Sequence, residues 1–167
     1  MPNYRVKKTD YVDQTNRKSF KFDGKTYFGF KGDFYDIPDL KLCPVPSQPV
    51  PILIGGHSKL ALKRAAKLGD GWISAGISLE ETKNFIDQIN SYREEFGTLD
   101  HTNYQFQVMG EAAYSPDGVR ALEDLGATEV IVAFRNAYEG GPDERTLDSM
   151  KAEISWYAEE VINKFRG

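Results

Sequence analysis

The chain has 167 residues, a formal net charge of −4, 40% hydrophobic and 28% charged residues, and a mean hydropathy of −0.51. For a chain of this length, these values are typical of one ordinary globular domain and exclude a large multidomain enzyme. The 25 acidic side chains outnumber the 21 basic ones, so a nucleic-acid footprint, which needs clustered Lys and Arg, is not expected.

The sequence lacks the features of a membrane or exported protein. No segment reaches the ~20 consecutive apolar residues that cross a bilayer, and residues 1–20 lack the apolar core of a signal peptide. The single cysteine, Cys43, cannot form an internal disulfide, which is typical of a reducing compartment. We therefore expect a cytoplasmic protein with no membrane contact, and one cysteine with two histidines predicts no metal site.

Residues 1–50 differ in pattern from the rest and are predicted to form an N-terminal extension. Aromatic and polar residues alternate on both sides of Asp23-Gly24, a dipeptide typical of two-residue turns, which predicts an aromatic-rich hairpin at about residues 18–31. The proline-rich residues 44–51 exclude a helix because proline fixes φ, so an extended lead-in is expected there. Core packing explains the aromatic residues of this region better than a lid over a site: Phe28, Phe30, Phe34 and Tyr35.

Residues 51–167 are predicted to form a second region, in which a short apolar strand and a capped helix alternate four times. The last strand is a continuous apolar run, which predicts burial on both faces. The four strands are predicted at residues 52–54, 72–74, 104–112 and 130–134.

Capping signals mark the first two helices. Ser58 is expected to cap the first helix, and Gly69 is expected to end it in a left-handed conformation. Ser78 and Glu81 have the spacing of a capping box, which predicts the start of the second helix. Apolar residues then recur at three- and four-residue steps until Gly97 ends this helix.

The last two helices are predicted in the same way. Ser115-Pro116 supplies a cap and a first helical position, and Gly126 ends the third helix. The fourth helix is expected to start near Asp143 and to run to the end of the chain. Its apolar residues form one stripe, which predicts one buried face: Leu147, Met150, Ile154, Tyr157, Val161 and Phe165.

Alternating strands and helices with short loops predict an α/β fold with a parallel sheet. Two arrangements fit: half of a (β/α)8 TIM barrel, or a small doubly wound parallel sheet. In both, ligands gather at the carboxyl ends of the strands, so residues 55–58 and the loops after residues 74, 112 and 134 are the expected functional edge. Arg135 lies at this edge, where it can contact an anionic substrate or form a surface salt bridge.

The residues Gly55, Gly56, His57 and Ser58, here called the glycine loop, are the most informative motif. A strand that ends in two glycines and passes directly into a helix leaves first-turn N–H groups unpaired and open to an anion such as phosphate. A tight turn with Ser58 as its cap explains the same residues. Two or three charge-assisted hydrogen bonds at ~1.5–3 kcal/mol each give on the order of 5 kcal/mol, so the loop can hold the tail of a cofactor but not a whole cofactor.

The segments FDG, FKGDFYDI, PVPSQPVPILIGGHS, ALKRAAKLGDGW and ALEDLGATEVIVAF occur in this order between residues 22 and 134, and the resemblance that they carry covers about residues 20–166. This series resembles the C-terminal half of the luciferase-like monooxygenase superfamily. It is most similar to the branch that uses the deazaflavin coenzyme F-420, with users of flavin mononucleotide (FMN) as near relatives. The resemblance implies a TIM barrel in which residues 52–54, 72–74, 104–112 and 129–134 are strands five to eight.

The same resemblance implies an oxidoreductase or monooxygenase that acts on a small molecule with F-420 or FMN. It implies that the glycine loop meets the phosphate end of the cofactor. Asp70, Gly71 and Trp72 match the family's Asp-Gly-Trp step, although a turn followed by a core tryptophan explains these residues better. No catalytic residue is assigned.

Members of the superfamily carry about as many residues again ahead of this region, with strands one to four and groups around the reactive ring. The resemblance therefore implies that this chain alone does not turn over substrate. The open edges of a half-barrel predict a homodimer or pairing with a separate N-terminal half. Two alternative functions remain: a non-catalytic half-barrel remnant or assembly module, and a small doubly wound protein that binds a phosphorylated ligand.

Overall fold

The computed structural model describes residues 27–31, 33–34, 36–41, 43–44, 51–135 and 141–166. The chain divides into two compact units, residues 1–50 and residues 51–167. In the first unit, strand β1 (Phe28–Lys31) pairs antiparallel with strand β2 (Asp36–Leu40), and the register shifts between Phe28 and Phe30. The hairpin predicted at about residues 18–31 lies largely outside the described residues, and the described partner of β1 is β2, which the sequence pattern had not indicated.

The second unit alternates strands and helices, as the sequence predicts. Its elements are β3 (Leu53–Gly55), α1 (Lys59–Leu68), β4 (Gly71–Ile73), α2 (Leu79–Phe96), β5 (Gln105–Met109), a 3-10 helix (Glu111–Tyr114), α3 (Pro116–Asp124), β6 (Glu129–Ile131), α4 (Leu147–Tyr157), a π-helical turn (Ala158–Ile162) and α5 (Asn163–Arg166).

The sheet of the second unit is parallel, which confirms the predicted α/β class. Its four strands lie in the order β3-β4-β5-β6. Trp72 pairs with Phe106 between β4 and β5, and Val108 pairs with Val130 between β5 and β6. A doubly wound sheet requires a point at which the strand order reverses. The described strands follow the chain order without a reversal, so the doubly wound alternative is wrong.

The helix caps agree with the sequence at most positions. Ser58, Ser78 and Ser115 each accept a first-turn N–H, and the capping box of Ser78 is complete. Gly97 ends α2, as predicted, and its φ of 67° is a left-handed conformation.

Two details of the predicted helix boundaries are wrong: the conformation of Gly69, which does end α1, and the start of the last helix. Gly69 has φ −81° and ψ 156°, an extended conformation. A Cβ at Gly69 would lie 2.8 Å from the carbonyl oxygen of Gly71, so close backbone approach explains this glycine. The last helix begins after Thr146 rather than near Asp143, because Thr146 accepts the N–H of Ser149 while Asp143 binds Arg145.

The core of the second unit lies between the sheet and its helices. Its largest fully buried side chains are Trp72, Leu62, Ile89, Leu122, Val108, Val161 and Thr82. β6 is half-buried, not buried on both faces as predicted, because it is an edge strand of the described sheet. The apolar stripe of α4 is also incomplete, since Leu147 is 66% exposed and Ile154 57% exposed. Among the described residues, no helix combines the length and the apolar character that crossing a membrane requires.

Candidate functional site

The glycine loop lies at the carboxyl end of β3 and leads directly into α1. Gly56 has φ +113°, a backbone conformation that residues with a Cβ rarely adopt. A Cβ built on Gly56 would also lie 3.0 Å from the Cβ of Ala61, a buried residue of α1. The backbone conformation at position 56 therefore favours glycine, and the space there is tight for any Cβ.

The first turn of α1 presents its N–H groups without a competing carboxylate. The Ser58 hydroxyl accepts the N–H of Ala61 at 3.3 Å, and the first regular bond of the helix runs from the Leu62 N–H to the Ser58 carbonyl. The N–H groups of Lys59 and Leu60 come before that bond, and no acidic residue lies in this turn. The first turns of α2, α3 and α4 all contain acidic residues. Of these four helices, α1 is therefore the one whose N-terminal end suits an anion.

Side chains of β4 and α2 support the glycine loop from below. Trp72 is fully buried, and its indole Nε1–H donates to the Gly56 carbonyl oxygen at 2.9 Å. The His57 imidazole stacks on the Phe85 ring, with 5.1 Å between ring centroids and 16° between ring planes. His57 Nε2 accepts the Ala75 N–H at 3.4 Å. The loops that follow β3 and β4 are therefore tied together.

A groove of about 660 Å³ lies beside the loop after β4. The β4–α2 loop is held against β5, because the Ile77 N–H donates to the Met109 carbonyl and the Met109 N–H donates to the Ser74 hydroxyl. The groove is lined by Gly76, Ile77, Ser78, Leu79, Glu111 and Ala112. It lies at the carboxyl ends of β4 and β5, the edge at which the sequence predicts a ligand.

Glu81 lies in the first turn of α2. The backbone N–H and then the hydroxyl of Ser78 lower the pKa of Glu81. The carboxylate of Glu81 is held by the capping box, where it accepts from the Ser78 N–H at 2.9 Å.

The residues of the Asp-Gly-Trp step have two different roles: Asp70 and Gly71 connect strands, and Trp72 contacts the glycine loop. The Asp70 carboxylate accepts the Ile52 N–H at 2.8 Å, and the Asp70 carbonyl accepts the Gln105 N–H at 3.0 Å. A Cβ at Gly71 would lie 2.4 Å from the Gln105 carbonyl oxygen. Asp70 and Gly71 therefore join strands at the end opposite the glycine loop, which supports the structural explanation for them, whereas Trp72 reaches the loop itself.

Arg135 forms an ion pair. Its guanidinium lies 3.7 Å from the Asp143 carboxylate and donates to the Gly141 carbonyl at 2.9 Å. Arg145 contacts the same carboxylate at 2.8 Å and also binds Glu153. The hydrogen bonds from Arg145 hold the pKa of Asp143 well below its usual range. Two carboxylates thus balance the two guanidinium groups, which favours the salt-bridge interpretation of Arg135.

The contacts of His57 with Phe85 and Ala75, and that of Trp72 with Gly56, are not predictable from the sequence. Phe85 lies on the apolar stripe of α2, but the stripe predicts burial and not a partner. His57 and Ala75 are 18 residues apart, and only the pairing of β3 with β4 brings their loops together.

The parallel strand–helix fold, with a glycine loop at the carboxyl end of a strand, belongs to a class of α/β proteins that bind ligands at this edge. The family model described as luciferase-like monooxygenase matches residues 21–153. The chain therefore belongs to the luciferase-like monooxygenase family, as the resemblance in the sequence predicted.

The curated relatives include an uncharacterized protein and enzymes whose names specify F420 or FMNH(2). An uncharacterized protein of Mycobacterium tuberculosis (strain ATCC 25618 / H37Rv) is 43% identical over 138 residues, which is 83% of this chain and 47% of the relative. The F420-dependent glucose-6-phosphate dehydrogenase of Amycolatopsis mediterranei (strain U-32) is 43% identical over 52 residues, 30% of this chain and 16% of the relative. The FMNH(2)-dependent dimethylsulfone monooxygenase of Pseudomonas fluorescens (strain Pf0-1) is 36% identical over 64 residues, 38% of this chain and 18% of the relative. The chain thus spans about half the length of the mycobacterial relative, and smaller parts of the two enzymes.

Proposed function

We propose that this chain is the C-terminal half of a luciferase-like, flavin- or deazaflavin-dependent oxidoreductase or monooxygenase, and that it holds the phosphate of the cofactor. The observation that carries this proposal is the glycine loop at the end of β3, followed by a helix whose first turn holds no acidic side chain. The F420-dependent and FMNH(2)-dependent relatives support F-420 or FMN as the cofactor.

The phosphate would be held by backbone groups. The N–H groups of Lys59 and Leu60 and the dipole of the 10-residue helix α1 favour an anion there. The absence of a side chain at Gly55 and Gly56 lets the ligand approach the backbone. Ser58 and His57 add polar groups beside the same anion. Charge-assisted hydrogen bonds of this kind contribute about 1.5–3 kcal/mol each, so the ring of the cofactor needs further contacts for tight binding.

The strands β3 to β6 would correspond to strands five to eight of a (β/α)8 barrel. Their order along the sheet matches their order in the chain, which a barrel requires. The described sheet has two edge strands, β3 and β6. We propose that these edges are closed by a second copy of this chain or by a separate N-terminal half, with residues 1–50 as an extension ahead of the half-barrel.

In this proposal the cofactor supplies hydride transfer to or from a small-molecule substrate, or oxygen activation if it is FMN. The residues of this chain bind the phosphate end of the cofactor and thereby orient the cofactor. The proposed location of the protein is the cytoplasm. The groups that surround the reacting atoms are not assigned to this chain, so the chain alone is expected to bind without turnover.

A comparison of FMN with riboflavin tests the phosphate site, because the two differ by the phosphate alone. We expect FMN to shift the amide resonances of the glycine loop, Lys59 and Leu60 in ¹⁵N-labelled protein, and riboflavin at the same concentration to leave them unchanged. Inorganic phosphate should compete with FMN for the same amides, and F-420 should produce the same pattern as FMN. Equal shifts with FMN and riboflavin, or shifts confined to other residues, would contradict the proposal.

The exposed apolar residues of α4 favour a second candidate function, an assembly module that retains the half-barrel without catalysis. Leu147, Ile154 and Trp156 are exposed large apolar side chains of this helix, with Trp156 at 48%. Surfaces of this kind mark interfaces. If the chain assembles but neither FMN nor F-420 shifts the glycine loop, this second candidate replaces the first.

A further inference from the structure

Two hydrogen bonds connect the glycine loop to β4 and to the loop that follows β4. The Trp72 indole N–H donates to the Gly56 carbonyl oxygen at 2.9 Å, across 16 residues of chain. His57 Nε2 accepts the Ala75 N–H at 3.4 Å, across 18 residues. One contact fixes a peptide unit of the loop, and the other joins the loop to its neighbour after β4.

The contact with Trp72 decides which way a flexible peptide unit faces. Glycine allows the peptide unit between Gly56 and His57 to rotate more freely than any other residue would. In a planar trans peptide unit the C=O and N–H groups point in opposite directions. Because the buried indole draws the Gly56 carbonyl oxygen toward the core, the N–H of His57 points away from the core. A rotated peptide would instead present a carbonyl oxygen to an approaching anion and repel it.

The contact with Ala75 decides the protonation pattern of His57. A backbone N–H can donate only to an imidazole nitrogen that carries no proton. The neutral ring therefore holds its proton on Nδ1, and the ring plane is fixed by the stack on Phe85. His57 thus joins the two loops with one nitrogen and retains one N–H donor in a fixed orientation.

We propose that Trp72 and His57 are positioning residues for the phosphate-bearing end of the ligand: Trp72 turns the Gly56–His57 peptide so that its N–H faces the anion, and His57 locks the glycine loop to the loop after β4. This inference rests on the proposed function of the glycine loop. It adds two residues that contribute through the direction of backbone donors, a role distinct from their packing.

The change Trp72→Phe removes the indole donor and keeps an aromatic ring in the core. We expect FMN to bind roughly tenfold more weakly to this variant, while riboflavin is unaffected. The matched control is Thr98→Val, which removes the hydroxyl that donates to the Ala66 carbonyl at 2.8 Å, a side-chain to backbone bond near the end of α2. Thr98→Val should lower stability and leave FMN binding as in the unmodified protein.

A pair of changes at His57, which is exposed, avoids a loss of folding. His57→Phe keeps the stack on Phe85 but offers no acceptor to the Ala75 N–H, so FMN binding should weaken several-fold. His57→Gln places an oxygen acceptor near the position of Nε2 and should restore most of that binding. In the unmodified protein, ¹⁵N spectra of the imidazole should show the proton on Nδ1 at a pH where the ring is neutral.

The outcomes separate the positioning role from the function of the loop. If the unmodified protein does not distinguish FMN from riboflavin, the phosphate site is wrong and the positioning role falls with it. If the unmodified protein distinguishes them but Trp72→Phe and His57→Phe bind FMN as tightly as Thr98→Val does, the positioning role alone is wrong. A proton on Nε2 of neutral His57 would also overturn it, whatever the binding data show.

Discussion

Replacing Gly56 by alanine tests the glycine loop at the position with the strongest structural requirement for glycine. Its φ of +113° lies beyond the left-handed helical region that other residues occasionally adopt. The new Cβ would lie 3.0 Å from the Cβ of Ala61, which is buried in α1 and has little freedom to move. We expect the loop to shift, because the helix cannot.

The strained φ and the close Cβ contact set the size of the effects on stability and on FMN binding. Holding a residue other than glycine in such a conformation costs about 1–3 kcal/mol of folding free energy. A loop that shifts to relieve this strain no longer directs all of its N–H groups at one point. The loss of one charge-assisted hydrogen bond, at about 1.5–3 kcal/mol, would weaken FMN binding at least tenfold.

Gly97→Ala is the matched control for this change. Gly97 also has a positive φ, 67°, but no described atom lies within 4 Å of a Cβ built there. Its left-handed conformation costs an alanine about 1–2 kcal/mol, and it ends α2 far along the chain from the glycine loop. Gly97→Ala should therefore lower stability without any change in FMN binding.

The assay combines urea unfolding, followed by circular dichroism, with FMN and riboflavin titrations followed by amide shifts. Both variants should keep the native far-ultraviolet spectrum and unfold at lower urea concentration. Only Gly56→Ala should lose the preference for FMN over riboflavin. The reasoning is refuted if Gly56→Ala retains that preference in full, or if Gly97→Ala loses it equally.

Three further predictions concern stability and assembly. Burial raises the pKa of Tyr104 to about 12, against the opposing effect of the Arg93 guanidinium. The contribution of neutral Tyr104 to stability should be present below the unfolded pKa of about 10 and lost as pH rises toward 12. Ultraviolet titration of the tyrosines, compared with Tyr104→Phe, checks this. Arg145 lowers the pKa of Asp143, so the contribution of ionised Asp143 to stability should be present above the unfolded pKa of about 3.9 and lost as pH falls. The stability of Asp143→Asn should therefore depend less on pH in acid than that of the unmodified protein. Equal pH dependence would contradict the ion pair. Sedimentation equilibrium at micromolar concentration should show a dimer, and a stable monomer of 18.8 kDa would refute assembly through open sheet edges.

Local sequence signals predicted much of the second unit. Ser58, Ser78 and Ser115 were identified as caps because a hydroxyl next to a first-turn N–H is a contact between near neighbours in the chain. Gly55 and Gly56 were identified as candidate ligand contacts because they lie directly between a strand and a helix, which is also a local feature of the sequence. Their assignment to a phosphate stays a prediction.

Predictions that depended on distant contacts failed more often. Gly69 was expected to adopt a left-handed conformation, but its role is the close approach to the Gly71 carbonyl. The apolar run at β6 resembled a strand buried on both faces, but its position at the sheet edge leaves it half-exposed. A pattern of apolar residues reports what a strand can bury and not what lies beside it.

The sequence by itself determined the alternation of strands and helices, the caps, the family resemblance and the position of the glycine loop. These depend on periodicity and on contacts a few residues apart, which a linear pattern records directly. The order of the strands and the support of the glycine loop by Trp72, His57 and Phe85 were decided only by the tertiary structure. These contacts join residues far apart in the chain, so they exist only after β3 and β4 pair and α2 packs against them.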